Sequence, residues 1–168
     1  MFHRFPVLLG FLLITLACSC DFNRKEKCIA LDNTVAAIND SLLQYGAAWG
    51  DELKIAVNTL DFSGLPPIRQ EMQVYIDRKI EFVKAMDNVG GSEQLLETEL
   101  EFLEAEKEIV TNKLTAFERF DDSVAMDALS TAYADMQYSA LKETDLLKKI
   151  HDLREEYAEK NEFPKFIE

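Results

Sequence analysis

The three cysteines of the chain, Cys18, Cys20 and Cys28, are its most reactive side chains, and all of them stand before residue 29. A cysteine thiol can pair into a disulfide, bind a metal ion or accept a covalent group. No cysteine follows Cys28, whereas the disulfides that stabilise a small secreted domain are spread through its core. The spacing therefore predicts that these thiols do not cross-link the fold and that their chemistry concerns the N-terminal segment.

An apolar run, residues 7–16, precedes the first cysteine, and His3 and Arg4 precede the run. The run has about half of the roughly 20 residues that a helix needs to cross a bilayer. Its length and its basic flank are instead typical of the hydrophobic core of a signal peptide. The sequence therefore predicts that residues 1–17 are a cleaved leader.

A small residue directly before a cysteine, downstream of such a core, resembles the lipobox of bacterial lipoproteins. Two registers fit, because Ala17 precedes Cys18 and Ser19 precedes Cys20. We favour Cys18, since serine is the more usual residue after the modified cysteine. The resemblance implies that the thiol receives a diacylglycerol, that the leader is removed and that the new amino group is acylated.

The lipid anchor that the resemblance implies would place the protein in a bacterial cell envelope. The expected location is the outer membrane where the envelope has one, and otherwise the plasma membrane. Residues 18–28 are then a lipidated polar tether, and residues 29–168 form a single helical domain. If Cys18 carries the lipid, Cys20 and Cys28 are available to pair; if Cys20 carries it, Cys28 is an unpaired thiol. Acyl burial contributes roughly 0.8 kcal/mol per methylene, so two or three chains hold the protein without a membrane span.

The charge balance limits the partners of the chain. It has 18 Lys and Arg against 31 Asp and Glu, a net charge of −13, and loss of Arg4 with the leader makes it more negative. Such an excess repels nucleic acid and anionic lipid headgroups. We therefore expect no nucleic-acid partner, and membrane attachment through the lipid alone.

Hydrophobic residues recur at steps of three and four beyond the cysteines, which predicts amphipathic helices. Breaks divide the pattern into four helices of about 29–59, 66–89, 93–120 and 124–160, with Ser92 as the N-cap of the third. No segment alternates with a period of two. We therefore predict an all-α fold, an up-down bundle of four long amphipathic helices.

The residue types do not favour a metal site, a covalent haem or a nucleophilic catalytic centre. A di-iron bundle needs Glu-x-x-His on two helices, but His151 is the sole histidine after the leader and Lys148 stands three residues before it. A covalent haem needs Cys-x-x-Cys-His, which is absent. Neither Gly-x-Ser-x-Gly nor a glycine-rich phosphate loop occurs. The sequence therefore predicts no catalytic centre, no metal site and no cofactor.

Seven glutamates fall within residues 93–108. Four of them share one face at helical spacing: Glu97, Glu101, Glu104 and Glu108. This face is either a surface for cations or a cationic partner, or a solvated acidic face partly neutralised by Lys107 and Lys113. We favour the solvated face, because calcium sites use oxygens clustered in a turning loop, whereas a straight helix spreads them out.

The single tryptophan, Trp49, lies between Gly46 and Gly50 in the first predicted helix. Each glycine inside a helix costs roughly 1 kcal/mol. That cost suggests either that another helix approaches the glycines closely, with Trp49 filling the space beyond, or that a kink opens a small ligand pocket. We favour packing.

Two functions from different classes fit such a tethered bundle. The first is an interaction or structural module, which presents a helix face or the aromatic tail with Phe163 and Phe166 to another envelope protein. The second is a carrier of a small apolar ligand or haem, held between the helices near Trp49, with His151 and a methionine as possible axial ligands. We favour the module.

Overall fold

The computed structural model describes the backbone of residues 6–164 and the side chains of residues 23–164. Within these ranges the chain is helical and contains no strand. Four long helical units pack against one another around one apolar core. The all-α bundle predicted from the hydrophobic periodicity is therefore confirmed.

The first helix, α1 (Pro6–Thr59), ends where the periodicity predicted but begins well before residue 29. Neither glycine nor proline occurs between Gly10 and Gly46, so no residue there favours a break. The segment 18–28, expected to be a tether, is helical. Its last residue, Cys28, is a free and fully buried thiol in the core.

The second helix, α2 (Leu65–Lys84), begins as expected with two prolines in its first turn but ends before the predicted residue 89. Side-chain hydrogen bonds hold the loop between α2 and the next helix. The Ser92 N–H donates to Asn88 Oδ1 at 2.9 Å, and the Val89 N–H donates to Ser92 Oγ at 3.2 Å. Ser92 is the N-cap residue of the next helix, as predicted, but its side chain makes no capping hydrogen bond, because its hydroxyl oxygen accepts from this loop instead.

The third predicted helix consists of three consecutive segments: α3 (Glu93–Glu108), a π-helical segment (Ile109–Leu114) and α4 (Thr115–Phe117). The unit ends in an aromatic cluster. Phe117 stands edge-on to Phe120, with ring centroids 5.9 Å apart, and Phe120 stands edge-on to Phe62 at 5.7 Å. This cluster closes one end of the bundle.

The last helix, α5 (Met126–Lys160), matches the predicted 124–160 within two residues. It packs chiefly on α3 and the π-helical segment, while α1 packs chiefly on α2. No residue of α5 between Leu129 and Ile150 is fully buried. The middle of α5 is therefore loosely packed, and α5 contacts α1 less than it contacts α3.

Candidate functional site

Trp49 and its two flanking glycines do not share one environment. Trp49 is buried, and its ring stands edge-on to Phe117 with centroids 5.3 Å apart. Gly46 is exposed and Gly50 partly exposed, and a Cβ atom added at either would meet no described atom within 4 Å. The expected close approach of another helix to these glycines is therefore wrong for the described part of the chain. They leave an open face on α1 instead.

A cleft of about 370 Å³ lies between α1 and α5, on the C-terminal side of Gly50 along α1. Its lining residues are Leu53, Lys54, Val57, Asn58, Phe117, Leu129, Ser130 and Tyr133. This volume lies near the lower end of the range for small-molecule sites. These eight lining residues include neither His151 nor a methionine, the haem axial ligands that the sequence suggested.

The register between α1 and α5 is fixed on both sides of the two glycines. On one side, Arg154 Nε donates to Asp32 Oδ1 at 2.8 Å. On the other side, Lys54 and Tyr133 line the same cleft. These contacts make the two helices antiparallel, while the carboxyl group of Glu143, on the stretch of α5 between them, faces Glu106 of α3.

Glu99 of α3 is fully buried in the bundle. Asn39 Nδ2 of α1 donates to Glu99 Oε2 at 3.3 Å, but Glu99 Oε1 and Asn39 Oδ1 have no hydrogen-bond donor among the described residues. Burial raises the pKa of Glu99 to about 7, although the Asn39 hydrogen bond and the charge of Arg154 oppose the rise. Glu99 therefore exchanges a proton near neutral pH.

A second pair of carboxyl groups, Glu106 of α3 and Glu143 of α5, meets between these two helices. Burial raises the pKa of both groups, and the charge of Glu106 raises that of Glu143 further. Adjacent carboxyl groups that are shielded from water do not readily ionise together, so the pair shares a proton. Glu143 Oε1 is buried and, like the two acceptors above, finds no donor in the described part of the chain.

The acidic face of α3 is solvated, as the sequence suggested. All four of its glutamates are exposed: Glu97, Glu101, Glu104 and Glu108. Lys149 of α5 lies 3.6 Å from Glu101 and Lys84 of α2 lies 3.9 Å from Glu104. Lys107, expected to neutralise this face, instead pairs with Asp77 of α2 at 2.7 Å. Nowhere in the described chain do three histidine, cysteine or acidic side chains stand close enough to hold a metal ion.

The structure describes only one of the two phenylalanines of the predicted aromatic tail. Phe163 is buried, its ring stands edge-on to Tyr157 at 5.8 Å, and its N–H donates to the Ala158 carbonyl at 3.1 Å. The prediction that Phe163 is presented to a partner is therefore wrong. Phe166 lies outside the described residues. His151 is exposed, with Nε2 3.8 Å from a carboxylate oxygen of Glu155.

Sequence reasoning missed the buried acids, although the signal was present. Glu99 and Glu106 are seven residues apart and therefore share one face of α3. The residues around them on that face are apolar and buried: Leu95, Leu96, Phe102, Leu103, Ile109 and Val110. Two glutamates in the middle of such a face indicate a polar site inside the bundle, which the hydrophobic periodicity alone does not reveal.

The proposed lipid acceptors, Cys18 and Cys20, lie outside the residues whose side chains the structure describes, so their role stays a prediction. None of the described helices combines the length and the apolarity that crossing a bilayer requires. No protein-family model, no curated protein and no solved structure matches this chain.

Proposed function

We propose that this chain is a lipid-anchored protein of a bacterial cell envelope, whose helical bundle acts as an interaction or structural module. The observation that carries the proposal is the exposure of large apolar side chains on α5 and on α1. Tyr138 is 79% exposed, Leu141 65% and Leu43 74%. Tyr138 and Leu141 are three residues apart and thus neighbours on the helix surface. Contiguous exposed apolar side chains mark interaction sites on soluble domains.

The anchor is supported by the leader, and the helix that follows sets the distance between the anchor and the core. Residues 23–27 are exposed, and the core begins at Cys28. A helix rises about 1.5 Å per residue, so an acylated Cys18 would stand about 15 Å from Cys28. The bundle would therefore be held close to the membrane surface, with α5 available to a neighbouring protein.

The interaction is tested in the native envelope with a photoreactive residue in place of Tyr138. We expect one discrete cross-linked product, which is lost when Leu141→Ser removes the adjacent apolar contact. A photoreactive residue at Gln70, which is exposed on α2, is the matched control and should give no such product. No product at position 138, or the same product at both positions, would contradict the module.

The carrier function has one specific observation in its favour, the cleft lined by Phe117 and Leu129. Because Phe117 touches Trp49, and Trp49 is the single tryptophan, a ligand in the cleft would change the fluorescence of Trp49. Native mass spectrometry of the purified protein discriminates the two functions. A bound small molecule that is lost on unfolding favours the carrier, whereas a ligand-free protein that cross-links through Tyr138 favours the module.

A further inference from the structure

We infer that the cleft between α1 and α5 binds an amphiphile with a single apolar chain and one carboxylate head, and that Lys54 and Tyr133 hold the head. The inference rests on the carrier function considered above for this cleft and names the chemical class of the ligand. It does not depend on the interaction module. The lining of the cleft, its size and the hydrogen-bond donors at its edge support it.

The lining of the cleft divides by exposure into a floor and a rim. The floor consists of apolar side chains that are buried or half-buried: Leu53, Val57, Phe117 and Leu129. The rim consists of exposed side chains that each carry a polar group: Lys54, Asn58, Ser130 and Tyr133. Small-molecule sites usually combine an apolar interior with a few polar groups that orient the ligand. The ligand that matches this lining is apolar at one end and polar at the other.

The size of the cleft limits the ligand to a small molecule. Its volume is about 370 Å³. A water molecule takes up about 30 Å³ of the liquid and a methylene group is of similar size, so the cleft holds roughly a dozen non-hydrogen atoms. A partner helix, about 10 Å wide with its side chains, does not enter such a volume. The apolar part of the ligand is therefore a single chain of about ten carbon atoms.

Two features next to the floor are typical of a functional site. The π-helical segment (Ile109–Leu114) directly precedes the short helix that places Phe117 in the floor, and π-helical turns are rare and frequent at functional sites. Trp49 packs against Phe117, and its indole N–H is buried without an acceptor in the described chain. Native proteins rarely leave a buried donor unpaired. The packing behind the floor is therefore less complete than that of an ordinary core.

The donors at the rim select the head of the ligand. Lys54 Nζ lies 2.7 Å from Asp51 Oδ1, in an ion pair whose two side chains are 77% and 73% exposed. Such an exposed pair is weak, and an ammonium group has three donors, so Lys54 can bind a second carboxylate. Asp51, through its hydrogen bond and its charge, and then Tyr133 raise the pKa of Lys54, which places the Tyr133 hydroxyl near the ammonium group. The side chain of Tyr133 makes no hydrogen bond within the described chain, so its hydroxyl is free to donate to the same carboxylate.

The charges of the cleft and of the chain exclude other heads. Lys54 is the one charged side chain among the eight that line the cleft, and it repels a cationic head. An uncharged head leaves the ammonium group of Lys54 without a charged acceptor from the ligand. A polyanion is repelled by the net charge of −13. A single carboxylate accepts hydrogen bonds from both Lys54 and Tyr133 and carries one negative charge only.

The test uses the full chain, purified from its own envelope and incorporated into phosphatidylcholine nanodiscs, with empty nanodiscs as the blank. Equilibrium dialysis compares three probes that share the same unbranched chain and differ in the head: decanoate, decanol and decyltrimethylammonium. We expect a single decanoate per protein in excess of the blank, bound at least tenfold tighter than decyltrimethylammonium and at least threefold tighter than decanol. Equal binding of the three probes, or no decanoate in excess of the blank, would overturn the inference.

The role of Lys54 is tested by removing its charge. Lys54→Met keeps most of the apolar stem, and we expect the preference for decanoate over decanol to be lost. Lys84→Met is the matched control, because Lys84 also forms an exposed ion pair within one helix, with Glu81, and does not line the cleft. It should keep the preference. Equal losses in the two variants would trace the preference to the overall charge and overturn the assignment of Lys54.

The location of the site is tested by filling the cleft. Ser130 is exposed at the rim, so Ser130→Phe narrows the cleft without changing the buried floor, and the affinity for decanoate should fall at least tenfold. Ala128→Phe adds the same ring to an exposed position of α5 outside the lining and should leave the affinity as in the wild type. Decanoate binding that persists in Ser130→Phe would overturn the assignment to this cleft.

Failure of the ligand class and failure of the carrier function give different results. If the three probes bind equally and Ser130→Phe weakens all of them, the carboxylate assignment is overturned and the carrier function stands. If none of the probes binds in excess of the blank, both are overturned. Cross-linking from position 138 tests the interaction module separately.

Discussion

Asp32 of α1 and Arg154 of α5 form a bidentate ion pair that joins the first and last helices of the bundle. Arg154 Nε donates to Asp32 Oδ1 at 2.8 Å, and Arg154 Nη2 donates to Asp32 Oδ2 at 3.1 Å. The Asp32 side chain is 2% exposed and that of Arg154 is 20%. Planar guanidinium and carboxylate groups match each other in this geometry, so the pair fixes orientation as well as distance. It fixes the register between α1 and α5 at this end of the bundle.

Removal of one partner of this ion pair should destabilise the bundle strongly. Arg154→Met leaves Asp32 as a buried charge without its bidentate partner, and we expect the free energy of unfolding to fall by about 3–5 kcal/mol. Urea unfolding followed by circular dichroism measures this change. Lys54→Met, which removes an ion pair with Asp51 that is exposed on both sides, should leave the unfolding midpoint unchanged. Equal effects of the two substitutions would show that Arg154 does not hold α5 against α1.

The buried Glu99 should make the protein less stable as the pH rises. Burial raises the pKa of Glu99 to about 7 in the folded protein, from about 4.5 in the unfolded chain. Between pH 4.5 and pH 7, the folded protein therefore keeps a proton on Glu99 that the unfolded chain has lost. The stability that this proton supports is fully present below about pH 4.5 and is lost as the pH rises through about 7. Glu99→Gln keeps the Asn39 contact but cannot ionise. Relative to the wild type, it should therefore gain on the order of 2–3 kcal/mol between pH 5 and pH 8.

Urea unfolding of both proteins at several pH values tests this linkage. The groups that face Glu99 are the Asn39 amide, Tyr75 and Arg154, and they are the same in the two proteins. Glu97→Gln, a change on the exposed face of α3, should leave the slope of stability against pH as in the wild type. A stability difference between wild type and Glu99→Gln that does not vary with pH would mean that Glu99 is ionised throughout.

Two glycine-to-alanine substitutions should act in opposite directions. Gly46 is helical with open space around it, so Gly46→Ala should stabilise the protein by roughly 0.5–1 kcal/mol. Gly90 has φ +63°, and a Cβ there would stand 2.6 Å from Cys28 Sγ and 2.5 Å from Asn161 Oδ1. Gly90→Ala should therefore destabilise by about 1–3 kcal/mol. Melting temperatures that shift in the same direction would contradict the placement of one of them.

Phe163 should behave as a core residue instead of a binding residue. Its ring is buried against Tyr157, so Phe163→Ala should lower the free energy of unfolding by about 3 kcal/mol. Phe82→Ala, at a half-exposed position on α2, should cost less than about 1 kcal/mol and serves as the control. If Phe163→Ala left stability intact but abolished cross-linking from position 138, the tail would be the interaction site after all.

Local patterns predicted most of the helices, and contacts across the bundle explain where they failed. The α5 boundaries follow from the periodicity and from Asn161, which are local features. The Asp32–Arg154 pair joins residues 122 positions apart, and no local pattern announces it. The cost of Gly46 and Gly50 inside α1 suggested that another helix packs closely against them. This prediction was wrong, because no described atom lies near either glycine. The sequence placed Phe163 in a tail beyond the end of α5, and only its contact with Tyr157 reveals that the chain folds back there.

The mass of the N-terminal peptide of the mature protein, isolated from its own envelope, tests the proposed lipid-anchored function most directly. We predict a peptide that begins at Cys18 and carries a diacylglycerol on the thiol and an acyl chain on the amino group. Cys18→Ser should abolish the modification; if Cys20 is the acceptor, Cys20→Ser should do so instead. A mature N-terminus that carries no lipid on either Cys18 or Cys20 would contradict the anchor, and with it the assignment of this bundle to the envelope membrane.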